Sequence, residues 1–200
     1  MTDSPFLHVQ RGEGNVSFFG PVPLGSGKPS TRENQVRLEF QVLLETIAAQ
    51  EATLILPYFD ANMAFAIGCH IRDAALAMEA ALTIEVVVHD QQIFRVAMEG
   101  STPTNFDYAR RKRNLTNLHQ RSSYALAIEA ELGRNVVERM ALNPRDYGLY
   151  GGCVPIRVAG AGMIGTVTVS GLPQHEDHRL VVEALAAQAD IDLSDLIATL

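Results

Sequence analysis

The chain has 200 residues, 47% of them hydrophobic and 20% charged, with a formal net charge of −7. That balance excludes an intrinsically disordered chain, and the acidic excess argues against general nucleic-acid binding, which leaves a basic footprint. No run approaches 18 apolar residues and the N-terminus lacks the apolar core of a signal peptide, so neither membrane spanning nor export is expected. Cys69 and Cys153 fit neither a disulfide framework nor a zinc ribbon, and they read as small buried hydrophobes of a cytoplasmic protein.

Residues 1–32 hold four prolines and five glycines without periodicity and read as an extended N-terminal arm ahead of a single domain over 33–200. Val16, Phe18, Phe19, Val22 and Leu24 are more apolar than a solvated linker, which points to packing on the same domain or on a neighbouring subunit. Gly25-Ser26-Gly27-Lys28-Pro29-Ser30 lacks the first glycine of a phosphate loop, since Val22 stands there, and Pro29 blocks the helix that should follow.

Val36, Phe40, Leu43, Leu44 and Ile47 recur at helical spacing and predict a first helix over 33–50. A short β-rich run, Thr53 to Leu56, stops at Pro57. Asp60 then stands as the N-cap of an alanine-rich, largely buried helix from Ala61 to Leu82, which carries Cys69 and His70. Ile84–Val88 and Ile93–Ala97 form a hairpin around His89-Asp90-Gln91-Gln92. Gly100-Ser101-Thr102-Pro103 opens a helix with four consecutive cations, Arg110-Arg111-Lys112-Arg113, followed by Asn114. Neighbours about 100° apart cannot all face one pocket, so they read either as a solvated face or as one or two groups reaching an anion. Ser122 or Ser123 can cap the next helix, which Gly133 closes; a further helical stretch spans Asn135 to Leu142.

The chain's organising stretch runs from Tyr150 to Gln188. Two β-branched runs flank Ala159-Gly160-Ala161-Gly162, where glycine supplies the positive φ of a tight reversal. Pro173 suits a first helical turn, Glu176 and Asp177 favour the positive helix end, and Val181, Ala184 and Leu185 make an apolar stripe. Two hairpins, one isolated strand and several helices predict an α+β domain: about five strands, mainly antiparallel, flanked by helices.

His175, Glu176, Asp177 and His178 form the densest ligand set. Two imidazoles at i, i+3 with a carboxylate can hold a divalent metal, and the same residues also suit a plain polar helix start. No nucleophile elbow, dinucleotide fingerprint or zinc knuckle is present. Haem has four candidate imidazoles, His70, His119, His175 and His178, and the sequence does not choose among them.

Arg110-Arg111-Lys112 with Asn114, Ser122-Ser123-Tyr124, Pro144-Arg145-Asp146-Tyr147, Gly151-Gly152, Gly165 to Gln174 and Asp177-His178 together resemble the haem-degrading domain family of HbpS-like and GlcG-like proteins, in its small bacterial and fungal branch. The resemblance covers roughly Leu38 to Gln188. It implies an antiparallel sheet flanked by helices in profilin-like layers, assembly into a homo-oligomer of at least two copies, and a pocket for haem, corrinoids or other small ligands. Arg121 departs from the family pattern where His is expected, as does His175 where an acid is expected. The resulting expectation is a small anionic or tetrapyrrole ligand held by Arg110, Arg111, Lys112, Asn114, Ser122, Ser123, Gly151, Gly152, Asp177 and His178. Arg111 or Lys112 would face ligand carboxylates, and Asp177 and His178 would orient polar groups. Two alternatives stand beside it: a cofactor- or metal-dependent enzyme with His178 as acid, base or ligand, and an assembly factor that works through its arm.

Overall fold

The computed structural model describes residues 30–198; residues 1–29 of the proposed arm, with its Gly25–Pro29 run, lie outside them, while Ser30, Thr31 and Arg32 belong to the first helix and its cap. Twelve elements follow in chain order. They are α1 (Thr31–Thr53), β1 (Ile55–Leu56), α2 (Ala61–Ala77), β2 (Thr83–Val88), β3 (Gln91–Ala97) and α3 (Pro103–His119). Then come α4 (Ser123–Glu131), α5 (Val136–Arg139), β4 (Cys153–Val158), β5 (Gly162–Ser170), α6 (Gln174–Ala189) and α7 (Ser194–Ile197). The strands form one sheet in the order β1-β4-β5-β2-β3, antiparallel except for the β1–β4 edge.

Local chemistry accounts for most boundaries. Ser30 and Glu33 make a reciprocal capping box at α1. The Asp60 carboxylate accepts from the Met63 N–H at 2.8 Å, as the sequence predicts. α2 ends at Ala77, short of Leu82, because Glu79 turns at φ +54° and Leu82 joins the sheet side, its carbonyl accepting from Met98. The first hairpin closes more tightly than expected: His89 and Asp90 alone make the turn, at φ +48° and +61°, so Gln91 and Gln92 belong to β3. Both central residues at positive φ match the twist of the flanking strands. Pro173 is the residue before α6 rather than in its first turn.

The pleat separates two chemistries. Ile84 pairs with Val169 and Val86 with Val167, and this face packs under α2 and α6 in the main apolar core. The residues between them point to the other face, where Thr83 pairs with Ser170 and Glu85 with Thr168, with Cys153 beyond in the same row. α3 covers this polar face. The molecule is therefore layered as α2 and α6, sheet, then α3. α1 packs beside α4 through Ile47, Tyr124, Ala125 and Ile128.

Candidate functional site

The four cations of α3 fan out to different partners, and the polar sheet face explains why the helix carries them. Arg113 pairs with Glu85, a carboxylate with no solvent exposure in the middle of β2, and Arg95 approaches the same group at 3.8 Å. Lys112 is buried; its ammonium donates to Asp177 Oδ2 at 2.7 Å and to the Val169 carbonyl at 2.9 Å. Arg110 and Arg111 lie further round the helix, both bridged to Asp107 at 2.9 Å. Arg110 also reaches Asp146 at 3.0 Å and the Arg145 carbonyl at 2.7 Å. One helix turn thus ties the sheet interior, the start of α6 and the loop before β4 together.

Asp177 is held from two sides, since its other oxygen accepts from the Leu172 N–H at 3.0 Å. Burial pushes its carboxyl above the usual range, while Lys112 and the backbone N–H groups of Leu172 and Gly171 pull the other way. Gly152 sits against this pair at φ +112°, and a Cβ there would stand 2.6 Å from the Asp177 Cβ and from the Val169 carbonyl. The Gly151 N–H donates to the Gln174 side-chain oxygen at 3.3 Å. The two glycines are needed for close approach of β4 to α6.

His178 is fully buried and its Nε2 lies 3.0 Å from Gln50 Oε1. Because the Gln50 amide nitrogen donates to the Leu196 carbonyl, Oε1 is the acceptor and His178 carries its proton on Nε2. Nδ1 has no partner among the described residues, and burial lowers the imidazole pKa to about 3, so His178 is neutral. Its neighbour His175 is half exposed beside Glu176 at 3.7 Å. One imidazole thus faces the core and the other solvent, and among the described residues no group of three His, Cys, Asp or Glu side chains is placed to hold a metal. His70 is exposed on α2, and burial lowers the pKa of His119 at the end of α3.

Ser122 caps α4 through the Ala125 N–H, and its own N–H donates to Glu51. Ser123 accepts from the Cys153 N–H at 3.0 Å, while Cys153 Sγ takes the Thr168 hydroxyl at 3.1 Å. Burial pushes the Cys153 thiol pKa up, which makes it a poor nucleophile. Asn114 donates to the Asp146 carbonyl at 2.9 Å. Arg121 bridges to Glu129 at 3.1 Å.

The expected residues therefore divide. Lys112, Gly152, Asp177 and Ser123 converge in the interior, with His178 behind them, whereas Arg110, Arg111 and Asn114 face the loop at 143–147. Beside that loop an open groove of ≈ 530 Å³ is lined by Asp107, Arg110, Arg111, Pro144, Arg145 and Asp146. The Arg111 guanidinium lies over the Tyr108 ring at 4.3 Å, and Tyr108 meets Tyr150 edge to face at 4.8 Å. Sequence reasoning missed Glu85, Gln50, Tyr108 and Tyr150. Only Glu85 carried a signal: a carboxylate between Ile84 and Val86 in a strand points away from the apolar core.

A five-stranded mixed, mostly antiparallel sheet layered between helices, with buried polar residues on the face under α3, is an α+β protein of the HbpS-like fold. The chain belongs to that family: residues 59–186 match the family described as haem degrading protein HbpS-like. A UPF0303 protein of Azotobacter vinelandii is 46% identical over 154 residues, which are 76% of this chain and 93% of that protein. Among solved structures, the yeast Ybr137w protein is similar at 25% identity and a TM-score of 0.68, covering 80% of this chain and 97% of that one. A PduOC:haem complex shares the fold at 15% identity and a TM-score of 0.57, over 64% of this chain and 94% of that one. No described helix is long and apolar enough to cross a membrane.

Proposed function

We propose that this chain binds a small anionic ligand of the tetrapyrrole class, haem foremost, as a cytoplasmic homo-oligomer. The match to the haem-degrading HbpS-like family carries this reading, and a haem complex among proteins of the same fold is consistent with it. The residues fit such a group in two respects. The open groove lined by Arg110, Arg111 and Arg145 has the volume of a small-ligand site and is rich in guanidinium, which suits propionate carboxylates. For the iron, His175 offers a reachable imidazole, one residue on from Gln174 and its contact with Gly151. His178, enclosed and bonded to Gln50, supports the start of α6 from within. If haem binds, His175 would hold its iron and the groove arginines its carboxylates, and the group would supply redox-active iron.

Exposed apolar residues support assembly: Leu38 and Val42 lie one turn apart on α1, and Phe65 and Leu76 stand out from α2, each more than half exposed. The free cysteines Cys69 and Cys153 accord with a reducing compartment.

Haemin titration of the recombinant protein, followed at the Soret band beside a His175→Ala variant, tests the reading. Saturable, near-stoichiometric binding whose band position changes in the variant is the expected result. A weak, non-saturating change identical in both proteins would overturn it.

A further inference from the structure

We infer that the groove between α3 and the 143–147 loop holds the ligand's carboxylates, recognised by Arg111 and Arg145, with Asp107 and Asp146 as counter-charges that the ligand displaces. This inference rests on the anionic-ligand reading above and names the groove residues that recognise the carboxylates, in place of the Lys112 contact expected from the sequence. The Lys112 ammonium is not free for an incoming anion, because it is already shared between Asp177 and the Val169 carbonyl.

The groove differs in both charge and commitment. Three guanidiniums face two carboxylates there, in a chain whose net charge is −7. Arg110 is saturated by Asp107, Asp146 and the Arg145 carbonyl. The Arg145 side chain is exposed and makes no hydrogen bond or ion pair among the described residues. It nevertheless borders the groove, on a loop that Asp146 ties to Arg110 and Asn143. An uncommitted planar fork on a tethered loop is suited to bidentate carboxylate recognition.

Arg111 adds a second, oriented fork. Its stacking on Tyr108 fixes the guanidinium plane, and its one carboxylate partner, Asp107, is about half exposed. Asp146 is exposed to the same degree, so displacing either carboxylate leaves it in water at small cost. Two guanidiniums match a ligand with two carboxylates. The propionates of a tetrapyrrole and a free dicarboxylic acid share that chemistry.

Three probes separate the sources: haemin, haemin dimethyl ester, which keeps the ring and iron but lacks free carboxylates, and succinate. Each is titrated into wild type, Arg145→Gln and the surface control Arg72→Gln on α2, across the sheet from α3, by Soret absorbance or calorimetry. Haemin affinity should fall about tenfold in Arg145→Gln and not in the control. The ester should bind both proteins with the same reduced affinity, and succinate should compete with haemin. Tight haemin binding that neither esterification nor Arg145→Gln weakens would overturn the groove assignment and leave the tetrapyrrole reading standing. Succinate binding lost in Arg145→Gln, with no binding of haemin, would keep the groove and overturn the tetrapyrrole. Binding of none of the three overturns both.

Discussion

Lys112 and Asp177 are separated by 65 residues in sequence and by 2.7 Å in space, each almost completely buried. Their pairing joins α3 to the start of α6 across the end of β5, and the third partner is the Val169 carbonyl of that strand. Two desolvated charges need each other more than they help the fold.

Removing one partner should therefore be worse than removing both. Lys112→Met, which leaves the Asp177 carboxyl buried without its cation, is expected to cost about 3–5 kcal/mol in urea unfolding. Lys112→Met combined with Asp177→Leu should recover much of that loss. Equal destabilisation by the single and double variants would show that the pair itself supplies the stability.

Gly152 and Gly160 provide an internal contrast, since both have positive φ but only one is crowded. Gly160→Ala, with nothing within 4 Å of the new Cβ, should cost about 1 kcal/mol from backbone conformation alone. Gly152→Ala would push a methyl against Asp177 and Val169 and should cost about 3 kcal/mol or more, read from thermal unfolding.

His178 makes stability depend on acid. Its folded pKa of about 3 lies below the ordinary 6.5, so the unfolded chain takes up the proton first as the pH falls. The stabilisation is complete above pH 6.5 and declines toward pH 3, by at most about 1.4 kcal/mol per pH unit from this group. Asp177 has a raised pKa and opposes this trend as the pH falls through its own titration. The stability difference between wild type and His178→Gln should thus shrink steadily between pH 7 and pH 4. A constant difference would show that His178 is not buried in its neutral form.

The exposed pair on α1 offers a test of assembly. Leu38→Glu with Val42→Glu should lower the mass seen by light scattering without changing the circular dichroism, because both side chains are more than half exposed in the single chain. An unchanged mass would remove α1 from the assembly surface.

Elements with a local cause were legible in the sequence. The Asp60 cap, the Ser122 cap and the glycine-closed second hairpin each depend on residues within a few positions of one another. The same locality explains the errors. The end of α2 is set by Leu82 joining the sheet, and the first turn by the twist of β2 and β3, and neither constraint is written at Glu79 or His89.

The candidate site was legible as a set of residues but not as an arrangement. Arg110, Arg111, Lys112, Asp177 and the two glycines stand out in the chain by charge or by conformational freedom, and the resemblance to HbpS-like proteins groups them. Their directions follow from the sheet. Lys112 and Arg113 point inward because the face beneath α3 carries a carboxylate in β2 and strand carbonyls, while Arg110 and Arg111 lie round the helix toward Asp107 and Asp146.

The sequence by itself determined the α+β class, the helix caps at Asp60 and Ser122, the glycine-closed hairpin and the stock of cations and carboxylates, because caps, periodicity and turn chemistry act over a few residues. Only the tertiary structure decided which cation meets which carboxylate, that His178 is closed in with Gln50, and that Arg145 remains uncommitted at the edge of a groove. Those outcomes depend on burial, and burial is a property of chain segments brought together over 65 or 128 residues, so it sets the electrostatics of a site that no local pattern encodes.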